Sequence, residues 1–176
     1  MKLGTILNSI LEKVLVYGSM ERRINYLRKQ GTIIGQDCNI ITMSFSTEPF
    51  LIEIGNKVRI ADGVQFITHD GAIRCFSGEL QGGIFGRIKI GNNVFIGLNS
   101  IILLNTTIGN NCIIGAGSVV RGHFPDNSVI IGNPAKVILN MGVQKMLYSH
   151  SPGFVKTNNL TTSEAKKLVK MHFNID

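Results

Sequence analysis

The sequence has no tryptophan, four prolines, three cysteines and no long run of hydrophobic residues. The cysteines, Cys38, Cys75 and Cys112, form an odd and scattered set, which argues against a disulfide framework. A membrane-spanning helix needs about 20 consecutive apolar residues, and no segment approaches that length. Polar residues such as Asn8 and Glu12 interrupt the opening segment, so it does not resemble a signal peptide. These absences predict a cytoplasmic protein without a transmembrane segment.

The net charge of +7 is unevenly distributed along the 176 residues. Residues 1–30 carry a net charge of +4 and residues 137–176 carry +3, whereas residues 31–136 contain seven basic and seven acidic side chains. A nucleic-acid enzyme usually carries a basic stripe on its main body, so we expect no nucleic-acid partner. Hydrophobic residues make up 44% of the chain and charged residues 16%, which predicts one domain with a sizeable core.

The segment 1–30 has helical periodicity. Apolar residues such as Leu3, Ile6, Ile10 and Val14 recur every three to four positions and predict an amphipathic helix. Its polar face has few basic residues before Arg22, which favours packing on the protein itself or on a neighbouring subunit over binding to a membrane surface. Whether it contacts a membrane or only an oligomer stays open.

The tail, residues 139–176, is predicted to be helical in two places. A short helix is expected around Met141–Tyr148. A second is expected over Thr162–Phe173, with Thr162 or Ser163 as its N-cap.

Residues 31–138 follow a period of six, which matches neither a helix nor a simple strand. Glycine or alanine commonly follows the repeated apolar residue, and a small or β-branched residue comes four positions after it. Three such segments predict one triangular coil of eighteen residues that stacks on the next coil, with the apolar residue pointing inward and glycine accommodating the turn. The in-phase apolar residues are Ile34, Ile40, Ile54, Ile60, Phe66, Ile90, Ile96, Ile102, Ile108, Ile114 and Val120.

Two segments interrupt this period. Residues 42–53 break the phase, because Ile40 and Ile54 are fourteen residues apart instead of twelve. Residues 68–88 keep the count of six but lose the apolar pattern and gain glycines and a histidine. We predict that this second stretch is a loop leaving the coil stack, where functional residues commonly lie.

Three stretches carry a resemblance to a known family: IEIGNKVRIADGVQFITHD, IKIGNNVFIGLNSIILLNTTIGNNCIIGAGSVV and IIGNPAKVI. They resemble the hexapeptide-repeat acyltransferases, in particular the maltose/galactoside O-acetyltransferases and the sugar O-acetyltransferases of capsule and O-antigen synthesis. The resemblance implies a mainly β fold, a left-handed parallel β-helix with an N-terminal helix and short C-terminal helices. It also implies a homotrimer, acetyl-CoA as acetyl donor, a small-molecule or oligosaccharide acceptor and no metal.

The same resemblance assigns the general base to His69, in FITHDG. A base must accept the proton of the acceptor hydroxyl as its oxygen attacks the thioester, and the ordinary pKa of histidine suits this task near neutral pH. Its second ring nitrogen needs an acceptor, for which Glu48, Asp70, Glu79 and a backbone carbonyl are candidates. Glu48 and Asp70 are also our candidates for substrate binding, and the identity of the acceptor sugar stays open because residues 42–53 match the family poorly.

Donor binding is expected to use small residues and two cations. Gly97, Gly115 and Ala116 would let the pantetheine approach the backbone, although a coil corner explains the glycines equally well. Phe95 occupies a position where relatives often have an aromatic residue. Arg121 and Lys136 would pair with the phosphates of CoA, or are solvated surface charges.

Other functions predict different patterns. The γ-class carbonic anhydrases of this fold need three histidine ligands, and His69 is the only histidine before the last in-phase position, Val120, so zinc is not expected. Cys38 and Cys112 occupy the small inward position, which favours a core role over a nucleophile. N-acetylation of an amino sugar, acetylation of serine, a catalytically silent scaffold and a nucleic-acid binder using the basic flanks remain the alternatives.

Overall fold

The six-residue period folds into three sheets that form the faces of a coil, and their strands are parallel except for Ala135–Asn140, which pairs antiparallel with Ser128–Gly132. The structure is a computed structural model that describes residues 18–76 and 78–175. The first face has the order β1–β3–β8–β11–β14, and its strands are β1 Ile33–Ile34, β3 Ile52–Ile54, β8 Ile88–Ile90, β11 Thr106–Ile108 and β14 His123–Phe124. The second contains β2 Asn39–Ile40, β4 Arg59–Ile60, β9 Phe95–Ile96, β12 Ile113–Ile114, β15 Ser128–Gly132 and β16 Ala135–Asn140. The third contains β5 Gln65–Ile67, β10 Ile101–Leu103 and β13 Val119–Val120.

The register of the strands confirms the eighteen-residue coil. Ile90 pairs with Ile108 on the first face and Ile96 pairs with Ile114 on the second, and both pairs are eighteen residues apart. Their side chains are buried, as are those at all the other in-phase positions. Each buried isoleucine contributes roughly 1.5–3 kcal/mol of hydrophobic stabilisation, so a regular core is assembled from a regular sequence.

The repeat glycines serve the stacking of coils and not the turn, which corrects the predicted reason for them. The backbone of Gly91 is not in the left-handed region, but a Cβ atom there would lie 2.6 Å from the carbonyl carbon and oxygen of Gly109 on the next coil. The left-handed corner falls two residues later, and it is occupied mainly by asparagine, which tolerates this conformation better than most residues. Corner residues with positive φ include Asp37, Lys57, Asn93, Asn99, Asn105, Asn111 and Asn127.

Replacing Gly91 with alanine is therefore expected to lower the free energy of unfolding by about 1–3 kcal/mol, the usual cost of overpacking. The added methyl group meets backbone atoms, which cannot move aside as a flexible side chain can. Denaturant unfolding measures the change. Gly71→Ala is the matched control, because a Cβ atom at Gly71 would have no neighbour within 4 Å. Equal stability of the two variants would contradict the stacking explanation.

Both predicted interruptions are present, but they differ in kind. In the first, Phe45 still enters the core, with its ring 4.7 Å from that of Phe66, and Ser44 forms a parallel bridge to Gln65. The extra residues then form a 3₁₀ helix at Pro49–Leu51. The second interruption leaves the stack as an antiparallel pair, β6 His69–Asp70 with β7 Ile84–Phe85, joined through a 3₁₀ helix at Gly71–Phe76.

Helix α1, Met20–Lys29, closes the first coil. Leu27 is buried in the core, and the Arg23 guanidinium donates to the carbonyl of Ile40 at 2.8 Å. Arg28 donates to the carbonyls of Ile34 and Gly35, both at 2.9 Å. Part of the N-terminal positive charge thus caps the carbonyls of this protein's own first coil. The predicted apolar stripe before residue 18 lies outside the described residues.

The chain divides into two compact units, with the boundary after Met141. Helix α2, Met141–Ser149, begins there, and helix α3, Thr162–His172, lies within the second unit. The N-cap of α3 is Thr161, because Thr161 and Glu164 form a reciprocal capping box. The helix therefore begins with a cap that precedes both predicted N-caps, Thr162 and Ser163. Across the described ranges, no helix is long and apolar enough to cross a membrane.

Candidate active site

His69 stands where the chain leaves the third face. The preceding residue, Thr68, is fully buried, and its carbonyl accepts a hydrogen bond from the backbone of Gly86 at 2.8 Å. In the hairpin beyond this point, His69 pairs in register with Phe85 and Asp70 pairs with Ile84. The histidine is thus held at the base of the hairpin, next to the rigid stack.

The irregular segment of the first coil supplies the partner of His69. The Nδ1 atom of His69 lies 2.9 Å from Oε2 of Glu48, which precedes the 3₁₀ helix Pro49–Leu51. The Glu48 side chain is 19% exposed and that of His69 is 42% exposed, so the carboxylate is the more enclosed member of the pair. Of the three predicted carboxylate candidates, the structure therefore pairs Glu48 with the ring.

Hydroxyl groups hold the Glu48 carboxylate in its charged form. The Thr47 hydroxyl donates to Oε1 at 2.6 Å and the Thr68 hydroxyl donates to Oε2 at 2.7 Å. These two hydrogen bonds, with a smaller contribution from His69, lower the pKa of Glu48 from 4.5 to about 2. An ionised carboxylate only accepts hydrogen bonds, so Nδ1 of His69 must be the protonated nitrogen. The lone pair of a neutral imidazole is then on Nε2, free to accept a proton.

Thr47, Glu48 and His69 line one cleft of about 370 Å³. The ring of Phe85 faces it, with its centroid 6.4 Å from that of His69. Asp70 also lines the cleft, but its Oδ1 accepts from the backbone of Ala72 at 2.8 Å. Glu79 is exposed and lies outside the lining formed by the described residues. The lining comprises Thr47, Glu48, His69, Asp70, Gly71, Ile73, Arg74, Gly82, Gly83, Ile84 and Phe85.

The six predicted donor-binding residues lie elsewhere. Phe95 and Lys136 are exposed on β9 and β16 of the second face, and Gly97, Gly115 and Ala116 follow β9 and β12 of that face. Arg121 is exposed directly after β13. Within the described part of one chain, none of the six lines the His69 cleft. The absence of a side chain at Gly97 already follows from stacking, because a Cβ atom would lie 2.6 Å from the backbone nitrogen of Ala116.

Three residues of the site were not predicted from the sequence: Thr47, Thr68 and Phe85. Thr68 lies two residues after the inward residue Phe66. The six-residue period does not predict a buried hydroxyl group at that position. The only available signal was position, since Thr47 adjoins Glu48 and Thr68 adjoins His69. Phe85 lies sixteen residues from His69, and its role follows only from the antiparallel pairing.

Comparison with known proteins agrees with the fold and the repeat. The family model described as bacterial transferase hexapeptide (six repeats) matches residues 87–122. Protein CapG of Staphylococcus aureus is 43% identical over 152 residues, which cover 84% of this chain and 88% of CapG. The putative lipopolysaccharide biosynthesis O-acetyl transferase WbbJ of Escherichia coli (strain K12) is 51% identical over 51 residues, or 29% of this chain and 26% of WbbJ.

A solved structure gives the same result for the architecture. The maltose O-acetyltransferase from Clostridium difficile 630 has a TM-score of 0.53 and 28% sequence identity, over 73% of this chain and 82% of that chain. Together with the three parallel faces, this similarity confirms the predicted fold class, a mainly β, left-handed parallel β-helix with added helices.

Proposed function

The chain belongs to the hexapeptide-repeat acyltransferase family, and on that premise we propose that it transfers an acetyl group from acetyl-CoA to a sugar hydroxyl. We further propose that this reaction serves the synthesis of a surface polysaccharide such as capsule or O-antigen. The contact that carries the proposal is the 2.9 Å hydrogen bond between Nδ1 of His69 and Oε2 of Glu48, at the wall of an open cleft. WbbJ is described as a putative O-acetyl transferase and the Clostridium difficile protein as a maltose O-acetyltransferase, and both descriptions support the choice of a hydroxyl acceptor.

In this mechanism, Glu48 keeps the proton on Nδ1 of His69, and Nε2 accepts the proton of the sugar hydroxyl. The sugar oxygen attacks the thioester carbonyl, a carbon–oxygen bond forms and the carbon–sulfur bond breaks. The imidazolium then returns the proton to the leaving sulfur, so CoA departs as a thiol. The negative charge of Glu48 favours the imidazolium that forms between these two proton transfers.

The donor side of the proposal rests on five residues on or next to the second face and on Arg121, which follows β13 of the third face. Phe95, Gly97, Gly115 and Ala116 would border the pantetheine, and the exposed Arg121 and Lys136 would pair with phosphates. Because none of these six residues lines the His69 cleft of the same chain, we propose that a neighbouring copy completes each site. This arrangement fits the homotrimer that the family resemblance implies.

An acceptor panel tests the proposed reaction. We expect thiol release from acetyl-CoA when the purified protein is mixed with sugars that have free hydroxyl groups, with an ester as the product. Release that depends on an amino sugar or on serine would contradict sugar O-acetylation. Salt-sensitive binding to duplex DNA without any thiol release would contradict an enzymatic function and favour a nucleic-acid binder.

A further inference from the structure

Phe85 is an exposed aromatic residue at a cleft whose chemistry is polar. Its side chain is 55% exposed and lies across from His69 in the β6–β7 hairpin. The two rings are 6.4 Å apart and tilted by 58°. An exposed aromatic face held in a binding cleft provides a large apolar contact area with little loss of side-chain entropy.

The ring of Phe85 lies close against a neighbouring glycine. A Cβ atom on Gly83 would lie 2.5 Å from Cε2 and 2.8 Å from Cζ of Phe85. The backbone of Gly83 is not in the left-handed region, so its conformation does not require glycine. The present position of the Phe85 ring depends on it, because a Cβ atom at Gly83 could be accommodated only if the ring moved. The ring is thus seated between Gly83 and His69 with much of its surface free.

We propose that Phe85 is the platform on which the sugar ring of the acceptor stacks, an inference that rests on the proposed sugar O-acetylation. The C–H-rich face of a pyranose matches an aromatic face, while its hydroxyl groups project from the edge of the sugar ring. With the imidazole beside the platform, stacking places an edge hydroxyl at His69. The acceptor class is therefore a pyranoside with an unobstructed apolar face, and an acyclic acceptor such as serine would gain nothing from Phe85.

Steady-state kinetics test this proposal in the intact protein. Phe85→Ala is expected to raise KM for the sugar roughly 2- to 10-fold, the range expected for loss of one aromatic contact, with KM for acetyl-CoA unchanged. Gly83→Ala should raise the same KM, because it displaces the ring. Phe76→Ala is the matched control, since Phe76 is 53% exposed in the same loop but lies outside the described cleft lining. Unchanged sugar KM in Phe85→Ala would overturn the platform even if wild-type protein acetylates sugars.

A binding measurement separates the platform from the reaction. The chain has no tryptophan, so Phe85→Trp would introduce a single tryptophan at the platform. We expect a saturable change in its fluorescence on titration with a methyl pyranoside, and no change in Phe76→Trp. A saturable change without thiol release by the wild-type protein would refute the proposed function and leave the platform standing. No change in Phe85→Trp, or equal changes in both variants, would overturn the platform.

Discussion

Replacement of His69 by alanine is expected to lower kcat for sugar acetylation by about 10²–10⁴-fold, the contribution usual for a general base. The variant retains the cleft but has no group at the hairpin base to take the hydroxyl proton. KM for acetyl-CoA should change little, because the proposed donor-binding residues lie outside the His69 cleft of the same chain. The measurement is initial-rate thiol release at saturating acetyl-CoA and sugar.

His123→Ala is the matched control for this experiment. His123 is exposed on β14 of the first face and lies outside the described cleft lining, so its variant should retain wild-type turnover. Added imidazole should restore part of the activity of His69→Ala, because the missing base can be supplied from solution. Wild-type turnover in His69→Ala would refute the assignment of His69 as the base.

The stack could be predicted because its information is local and repeated. Each inward residue, such as Ile96 or Ile114, meets the same environment, so the period in the sequence becomes the register in the structure. The small or β-branched residues four positions after each inward residue were predicted as well. The structure adds that serine hydroxyl groups at this position donate hydrogen bonds to backbone carbonyls. Ser100, for example, donates to the carbonyls of Gly97 and Gly115 at 2.9 Å and 3.0 Å.

The reason for the glycines could not be predicted in the same way. The constraint on Gly91 comes from the backbone of Gly109, which is distant in sequence and adjacent in space. A sequence pattern shows that a side chain is absent but not which neighbour excludes it. The turn was the simpler explanation, and it was wrong for the repeat glycines because the left-handed corners lie two residues later and are occupied mainly by asparagine.

The partner of His69 was likewise undetermined in the sequence. Asp70 is adjacent to the histidine, yet Glu48, twenty-one residues away, makes the contact. The two residues lie in different interruptions of the period, one that contains Glu48 and one that begins at Thr68, and only the folded coil brings these segments together. Irregular segments carry no periodic signal, and these segments form the candidate site.

Replacement of Glu48 by glutamine is expected to lower kcat by about 10²–10⁴-fold with a smaller effect on KM for the sugar. Glutamine is similar in size but removes the charge that favours the imidazolium, and it no longer enforces a proton on Nδ1 of His69. Glu48→Asp retains the charge and should recover part of the lost activity. A Glu48→Gln protein with normal kcat would show that the carboxylate does not position the base.

The pH dependence distinguishes this positioning role from a purely structural one. The pKa of Glu48 is lowered from 4.5 to about 2, so its charge persists over the whole range in which the enzyme can be assayed. Glu48→Gln should therefore be less active than wild type at every pH from about 5 to 9, because the charge difference between the two proteins persists throughout that range. Because the pKa is lower in the folded state, the stability that the charged group contributes is fully present above pH 4.5 and is lost as the pH falls toward 2. The difference in melting temperature between the two proteins should shrink in that acid range, and a difference already lost at pH 4.5 would contradict the lowered pKa of Glu48.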